Sequence, residues 1–181
     1  MLSIRYFVAW EQRKLGDIFE KNIEKNKGMI FSEDSTISIS SMKYKTEGNG
    51  AKETSLPRYK VLRIGDIAYE GHTNKNYMYG RFVLNDLGDG IMSPRFTALR
   101  PKQKLDVLFW KNYIHYEPIM REILVRSTKQ GTMMNELVVT DFFKESILVP
   151  TDLEQRKIGI LLSNFDSLID LHQRKPNTLF S

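Results

Sequence analysis

Apolar residues recur at Ile158, Leu161, Leu162, Phe165, Leu168, Ile169 and Leu171, in steps of mostly three and four. That is the period of one helical face. Thr151 followed by Glu154 has the form of a capping box, the hydroxyl accepting from free backbone N–H groups while the carboxylate reaches back. Pro176 stops the run. The pattern predicts a helix from about Leu153 to Lys175, roughly 33 Å long. Before Pro150 the pattern is mixed and short-ranged. Leu15, Ile18, Phe19 and Ile23 sit at helical spacing and predict a short helix ending before Lys27-Gly28. Residues 35–41 alternate around Ile37 and Ile39, as a strand does. Residues 59–64, 67–69, 81–84, 90–92 and 96–99 predict further short strands, with turns at 65–66, 86–90 and Pro101. Residues 106–125 are helical in spacing, and Pro118 predicts a split or kink. Residues 141–143 read as a short turn and 146–149 as a last strand. The expected fold class is α/β (α+β): a mixed small-sheet domain over 1–150, a long coiled-coil-forming α-helix over 151–175, and a short tail over 176–181.

Composition narrows this picture. A chain of 181 residues is one domain of ordinary size or a domain plus an appendage, and it can bury a full core. It contains no cysteine, which removes thiol chemistry and cysteine-based metal sites and fits a reducing compartment. No apolar run approaches the roughly 18 residues of a membrane span. The first nine residues are too short and polar for a secretory signal. A cytoplasmic protein is expected. The net charge of +5 and pI near 9.3 fit a polyanionic partner, and equally an ordinary basic protein.

Catalytic signatures are missing. Neither G-x-G-x-x-G nor G-x-x-x-x-G-K-[ST] occurs. His72, His115 and His172 lie far apart, without a carboxylate at metal spacing. His115 is expected on a helix face beside Tyr113 and Tyr116. His172 is expected to pack or hydrogen-bond at the edge of the long stripe. Asp66 and Glu70 form the one pair of a nuclease type, but Glu70 is followed by Gly-His-Thr-Asn-Lys, which leaves the strand without a nearby lysine. Asp66 is expected to shape the Gly65-Asp66 turn.

Three polar loops differ in kind. Residues 43–60, expected as an exposed loop, carry Lys43, Lys45, Lys52, Arg58 and Lys60 with Tyr44 and Tyr59. Residues 71–81 carry His72, Asn74, Lys75, Asn76, Tyr77, Tyr79 and Arg81. Residues 126–132 carry Arg126, Lys129, Gln130, Gly131 and Thr132. Amides and arginine read base edges, whereas lysine and backbone N–H groups near glycine grip phosphate. Solvated loops of this composition also occur in any protein.

Two stretches carry a resemblance. Trp10-Glu11-Gln12-Arg13-Lys14-Leu15-Gly16-Asp17 resembles the opening of a target-recognition domain in specificity subunits of type I restriction–modification systems. Pro150 to Ile158, with residues 161–166 and 171–175, resembles the passage from that domain into the family's long spacer helix. Gly65-Asp66-Ile67 and Gly131-Thr132 also fall where such domains carry similar residues. The resemblance covers about Trp10 to Lys175.

It implies a role as the DNA-recognition subunit, with no active site of its own. A whole subunit of this family holds two such domains apart on two antiparallel helices, each domain reading half of a split site in double-stranded DNA. The helices dock modification subunits, which use S-adenosylmethionine. Restriction subunits use ATP and Mg to translocate and cut. This chain departs from the pattern by holding one domain and one helix, with Asn177 to Ser181 resembling a foreign or truncated tail. It is expected to be a half-subunit or a shortened piece. The expected assembly is a two-fold homodimer, with Ile158, Leu161, Leu162, Phe165, Leu168, Ile169 and His172 at the seam. The competing classes are a small metal-dependent nuclease or solitary methyltransferase, and an interaction protein that occupies modification subunits without reading DNA.

Overall fold

This structure, a computed structural model, describes residues 10–45 and 53–173. The first part of the chain forms β1 (Glu11–Lys14), α1 (Leu15–Ile18), β2 (Phe19–Lys21), β3 (Ile37–Ser38) and β4 (Lys43–Tyr44). Next come β5 (Lys60–Leu62), β6 (Ile67–Glu70), β7 (Arg81–Leu84), β8 (Gly90–Met92) and β9 (Thr97–Pro101). The remainder forms α2 (Val107–Tyr113), α3 (Glu117–Ser127), β10 (Thr128–Lys129), β11 (Glu136–Leu137), α4 (Val139–Phe142), β12 (Ser146–Val149) and α5 (Asp152–Gln173). Helices and small antiparallel sheets are thus mixed, and a long helix follows them.

The largest sheet has the order β2-β9-β6-β7 and is antiparallel throughout. Successive side chains on a strand point to opposite faces, and here both faces are covered. Ile67, Tyr69, Phe82 and Leu99 join the main core with Phe109, Trp110 and Met120 of the helices. Ala68 and Ala98 face the other way, onto Ile37, Leu62 and Met92 of the smaller sheets and Ile39 of the turn after β3. This explains why β6 is buried at every position instead of alternating.

The helix predicted over 15–23 lasts only one turn. Phe19 passes directly into β2, where it pairs with Pro101, and Ile23 is 77% exposed. A short helix carries the full cost of nucleation, while residues 19–21 gain ladder bonds along β9. Residues 43–60 also differ from the exposed loop expected of them. β4 pairs with β3, and the 3-10 turn at Glu53–Arg58 carries Leu56 and leads into Tyr59, both buried against Val61 and Ile91. The predicted helical region over 106–125 is two helices. Pro118 lies in the first turn of α3, where a missing N–H costs no intrahelical bond, and Asp106 caps α2 by accepting from the Phe109 N–H at 2.9 Å. His115 therefore lies in the turn between α2 and α3, not on a helix face.

β1 and β12 pair from Glu11↔Val149 to Lys14↔Ser146, so the strand that leads into α5 lies beside the first described strand. The capping box forms as expected: the Thr151 N–H and hydroxyl donate to Glu154 Oε2 at 3.0 and 2.8 Å, and the Glu154 N–H reaches Thr151 Oγ1 at 3.4 Å. One turn on, Gln155 is buried. Its Oε1 accepts from Trp110 Nε1 at 2.8 Å and its Nε2 donates to the Pro150 carbonyl at 2.9 Å. Gly159 faces α2 so closely that a Cβ there would sit 2.8 Å from the Phe109 nitrogen. Ile158 packs on the main core. Beyond this point the helix leaves the globule: Leu161, Phe165, Leu168 and Ile169 are each 53–54% exposed.

Candidate DNA-recognition face

Three loops meet around one turn. Between β8 and β9, Ser93 to Phe96 form a β-turn closed by the Phe96 N–H on the Ser93 carbonyl at 3.3 Å, with Pro94 at its second position. Met92 and Ala98 on either side are buried. A cavity of about 370 Å³ on one side of the turn is lined by Ser38, Lys45, Tyr59, Glu70, His72 and Arg95. A second, also about 370 Å³, is lined by Tyr69, Arg95, Phe96, Thr132, Met133 and Asn135. Arg95 is common to both. The 43–60, 71–81 and 126–132 segments, separate in sequence, therefore each contribute to the surroundings of Arg95.

The 71–81 segment is held by its own polar groups. Asn74 Oδ1 accepts from the N–H groups of Asn76 and Tyr77 at 2.9 and 3.1 Å, an Asx-type turn that leaves Lys75 and Asn76 exposed at the tip. The Tyr77 hydroxyl meets His115 Nε2 at 2.8 Å, and His115 Nδ1 meets the Phe82 carbonyl at 2.9 Å. A carbonyl only accepts, so Nδ1 carries the proton and, in the neutral ring, Nε2 accepts from tyrosine. Gly71 lies against the 133–135 backbone. Its carbonyl accepts the Asn135 N–H at 2.9 Å, and a Cβ would fall 1.9 Å from the Asn135 oxygen. Only glycine permits that approach. The Tyr79 carbonyl accepts from the Tyr69 hydroxyl at 2.6 Å, and burial pushes that hydroxyl's pKa up.

Several of the residues singled out for DNA are engaged within the protein. Arg81 donates to Glu70 at 2.7 Å and to the Ser40 carbonyl at 2.9 Å, with its guanidinium 5.2 Å from the Tyr77 ring. Arg126 forks onto Glu145 through Nε and Nη2 at 3.0 and 2.7 Å, and Lys129 pairs with Glu136 at 3.2 Å. Lys60 is not the solvated lysine expected of a loop. It starts β5, and its Nζ donates to the Phe96 carbonyl at 2.5 Å. Burial, with Lys21 and Lys25 nearby, pushes its pKa down. The Tyr44 hydroxyl donates to the Asp89 carbonyl at 3.0 Å. Lys52 lies outside the described residues. Lys43, Lys45 and Lys75 make no ion pair among the described residues, while Arg58, Gln130 and Thr132 are exposed.

Arg95 was not anticipated. It is exposed, and its guanidinium makes no hydrogen bond or ion pair among the described residues. The available signal was Ser93-Pro94-Arg95 between two apolar runs, a proline-led turn that presents its third residue outward.

The carboxylates weighed for metal chemistry are also occupied. Asp66, 1% exposed, accepts from Arg100 Nε and Nη2 at 3.0 and 2.9 Å, from Asn22 at 3.0 Å and from the Arg63 N–H at 2.9 Å. It shapes the turn, as expected. Glu24 joins the network through Arg63 and Arg100 at 2.6 and 2.7 Å. On the distal part of α5, Phe165, Leu168, Ile169, His172 and Gln173 line an apolar groove of about 340 Å³. His172 Nδ1 meets the Leu168 carbonyl of its own helix at 2.9 Å.

A family model described as the type I restriction modification DNA specificity domain matches residues 8–180. The chain belongs to this family. The specificity domain is similar to three solved structures. The HsdS subunit from Thermoanaerobacter tengcongensis is 20% identical, with a TM-score of 0.58 over 92% of this chain and 44% of that one. A chain from a structure of type I R-M complex assembly and conformational transition is 18% identical, with a TM-score of 0.57 over 92% and 44%. The type I S subunit from M. genitalium is 15% identical, with a TM-score of 0.53 over 92% and 41%. At these identities the likeness shows the fold alone, and the specificity domain spans less than half of each matched chain. No curated protein sequence matches it. Among the described residues, no helix is long and apolar enough to cross a membrane.

Proposed function

We propose that this specificity domain reads DNA sequence for a type I restriction–modification system and performs no catalysis itself. The family match over residues 8–180 carries the reading. Lys43, Lys45, Lys75 and Arg95, which make no ion pair among the described residues, support it chemically, because free cations are what phosphate and base edges require. Residues 1–150 act as the recognition domain and α5 as the spacer. Modification and restriction subunits, with S-adenosylmethionine, ATP and Mg, supply the reactions, and the complex works in the cytoplasm. A second copy of α5, antiparallel, covers the stripe around Phe165 and Leu168. Two domains then face two halves of a palindromic split site.

The test is selection from random duplex DNA by this chain together with its modification subunit. A bipartite motif should be enriched, and affinity should fall steeply with salt as phosphate contacts release counterions. No enrichment, or affinity indifferent to ionic strength, overturns the proposal.

A further inference from the structure

An arginine reads guanine by presenting two parallel N–H groups to O6 and N7 in the major groove. To do so its fork must be free. Arginine already forked onto a carboxylate gives up a strong charge-assisted pair before it can donate elsewhere. The arginines around the three converging loops divide on this criterion: Arg58 and Arg95 are exposed without a side-chain partner among the described residues, and of the two only Arg95 lines the cavities beside the turn. Arg81 is held by Glu70 at 2.7 Å and Arg126 by Glu145 at 2.7 Å, while Arg63 and Arg100 are tied into the Glu24 network at 2.6 and 2.7 Å. Arg95 has no carboxylate or carbonyl partner among the described residues.

Its position is also pre-organised. The turn that carries it is closed by its own backbone bond at 3.3 Å, and its far end is pinned by Lys60 Nζ on the Phe96 carbonyl at 2.5 Å. A lysine that resembled a DNA contact in the sequence instead holds the platform beneath the free arginine. The side chain stands between two cavities of about 370 Å³ each, one lined by Lys45 and His72 and the other by Thr132. A cation, a titratable ring and a hydroxyl thus flank it on segments that can follow a backbone on either side.

We infer that Arg95 is a base-reading residue of this specificity domain and contacts a guanine in the major groove of its DNA site. This rests on the proposed DNA-reading function and deepens it.

The test compares the chain and its Arg95→Ala and Arg95→Lys variants, each with the modification subunit, in selection from random duplex DNA and in competition binding. Wild type should enrich a motif with an invariant guanine. Arg95→Ala should lose preference at that one base pair by about 5- to 150-fold and keep the rest of the motif. Arg95→Lys keeps the charge without the fork and should lose the same preference while retaining most of the salt dependence. If both variants keep the full motif, or Arg95→Ala weakens all sequences evenly while Arg95→Lys restores them, Arg95 only grips phosphate or contacts nothing and the inference falls. If wild type enriches no motif, the DNA-reading function itself falls first. The Arg95 side chain is exposed and makes no hydrogen bond or ion pair among the described residues, so unchanged melting of both variants separates recognition from folding.

Discussion

Replacing Gln155 by methionine keeps the size of the side chain and removes both of its polar contacts. The indole N–H of Trp110 loses its acceptor at 2.8 Å and the Pro150 carbonyl its donor at 2.9 Å. A buried group left without a partner costs about 1–3 kcal/mol, so two such groups bound the loss at roughly 2–6 kcal/mol. The polar cavity lined by Arg13, Trp110, Gln155 and Arg156 adjoins this point and lets water replace part of the loss. That places the expected destabilisation at about 2–4 kcal/mol. Trp110→Phe removes the same donor together with packing area. In the double variant the indole and the amide are both gone, so the two costs should not add. A coupling of at least ~0.5 kcal/mol is expected from a urea double-mutant cycle followed by far-ultraviolet circular dichroism. Strict additivity, or a Gln155→Met loss below about 0.5 kcal/mol, would show that the long helix is not anchored through this bridge.

Three further outcomes follow from the same structure. Gly159→Ala would ordinarily strengthen a helix by about 1 kcal/mol, but its Cβ meets the Phe109 nitrogen at 2.8 Å. The melting temperature should therefore drop, by an amount corresponding to about 1–3 kcal/mol, and a rise would refute the close crossing of α5 and α2. Phe165→Asp with Leu168→Asp should leave the melting of the globule intact and convert a dimer to monomers in sedimentation equilibrium at tens of micromolar; a monomeric parent chain would sink the proposed seam. Glu24 and Asp89 have folded pKa values below the ordinary 4.5 and 3.8, held down first by hydrogen bonds from Arg63. Their stabilisation is complete above those ordinary values and is lost as pH falls through the lower, folded ones. Denaturation midpoints should decline below roughly pH 4, and a Glu24→Gln, Asp89→Asn variant should show a flatter acid limb.

The features legible in the sequence were those set by neighbours in the chain. The α5 stripe, its capping box and the strands at Lys60–Leu62, Ile67–Glu70 and Arg81–Leu84 depend on local period and on nearby turns. The one-turn α1 was misread as longer because Leu15, Ile18 and Phe19 fall at helical spacing whether or not the helix continues past Ile18. The 43–60 segment looked wholly exposed because its many polar residues outweigh Leu56 and Tyr59, which among its described residues alone reach the core. At the candidate site the decisive facts were ion pairs between distant residues, such as Arg126 with Glu145 and Arg63 with Glu24. Nothing in a linear charge pattern distinguishes an arginine that has found a carboxylate from one, like Arg95, that has none among the described residues.

The ladder between β1 and β12 has a consequence for inheritance as well as folding. With Glu11 opposite Val149, the chain between them is a loop closed at its base, and α5 is held to it through the buried Gln155, Ile158 on the main core and the close crossing at Gly159. A different segment could be spliced between the same two strands, provided that it preserved that ladder, a partner for Gln155 and a surface to receive Ile158 and Gly159. The length of α5 would not change. Under the proposed function, that closed base would let one reading segment be exchanged for another while β1, β12 and α5 stay as they are.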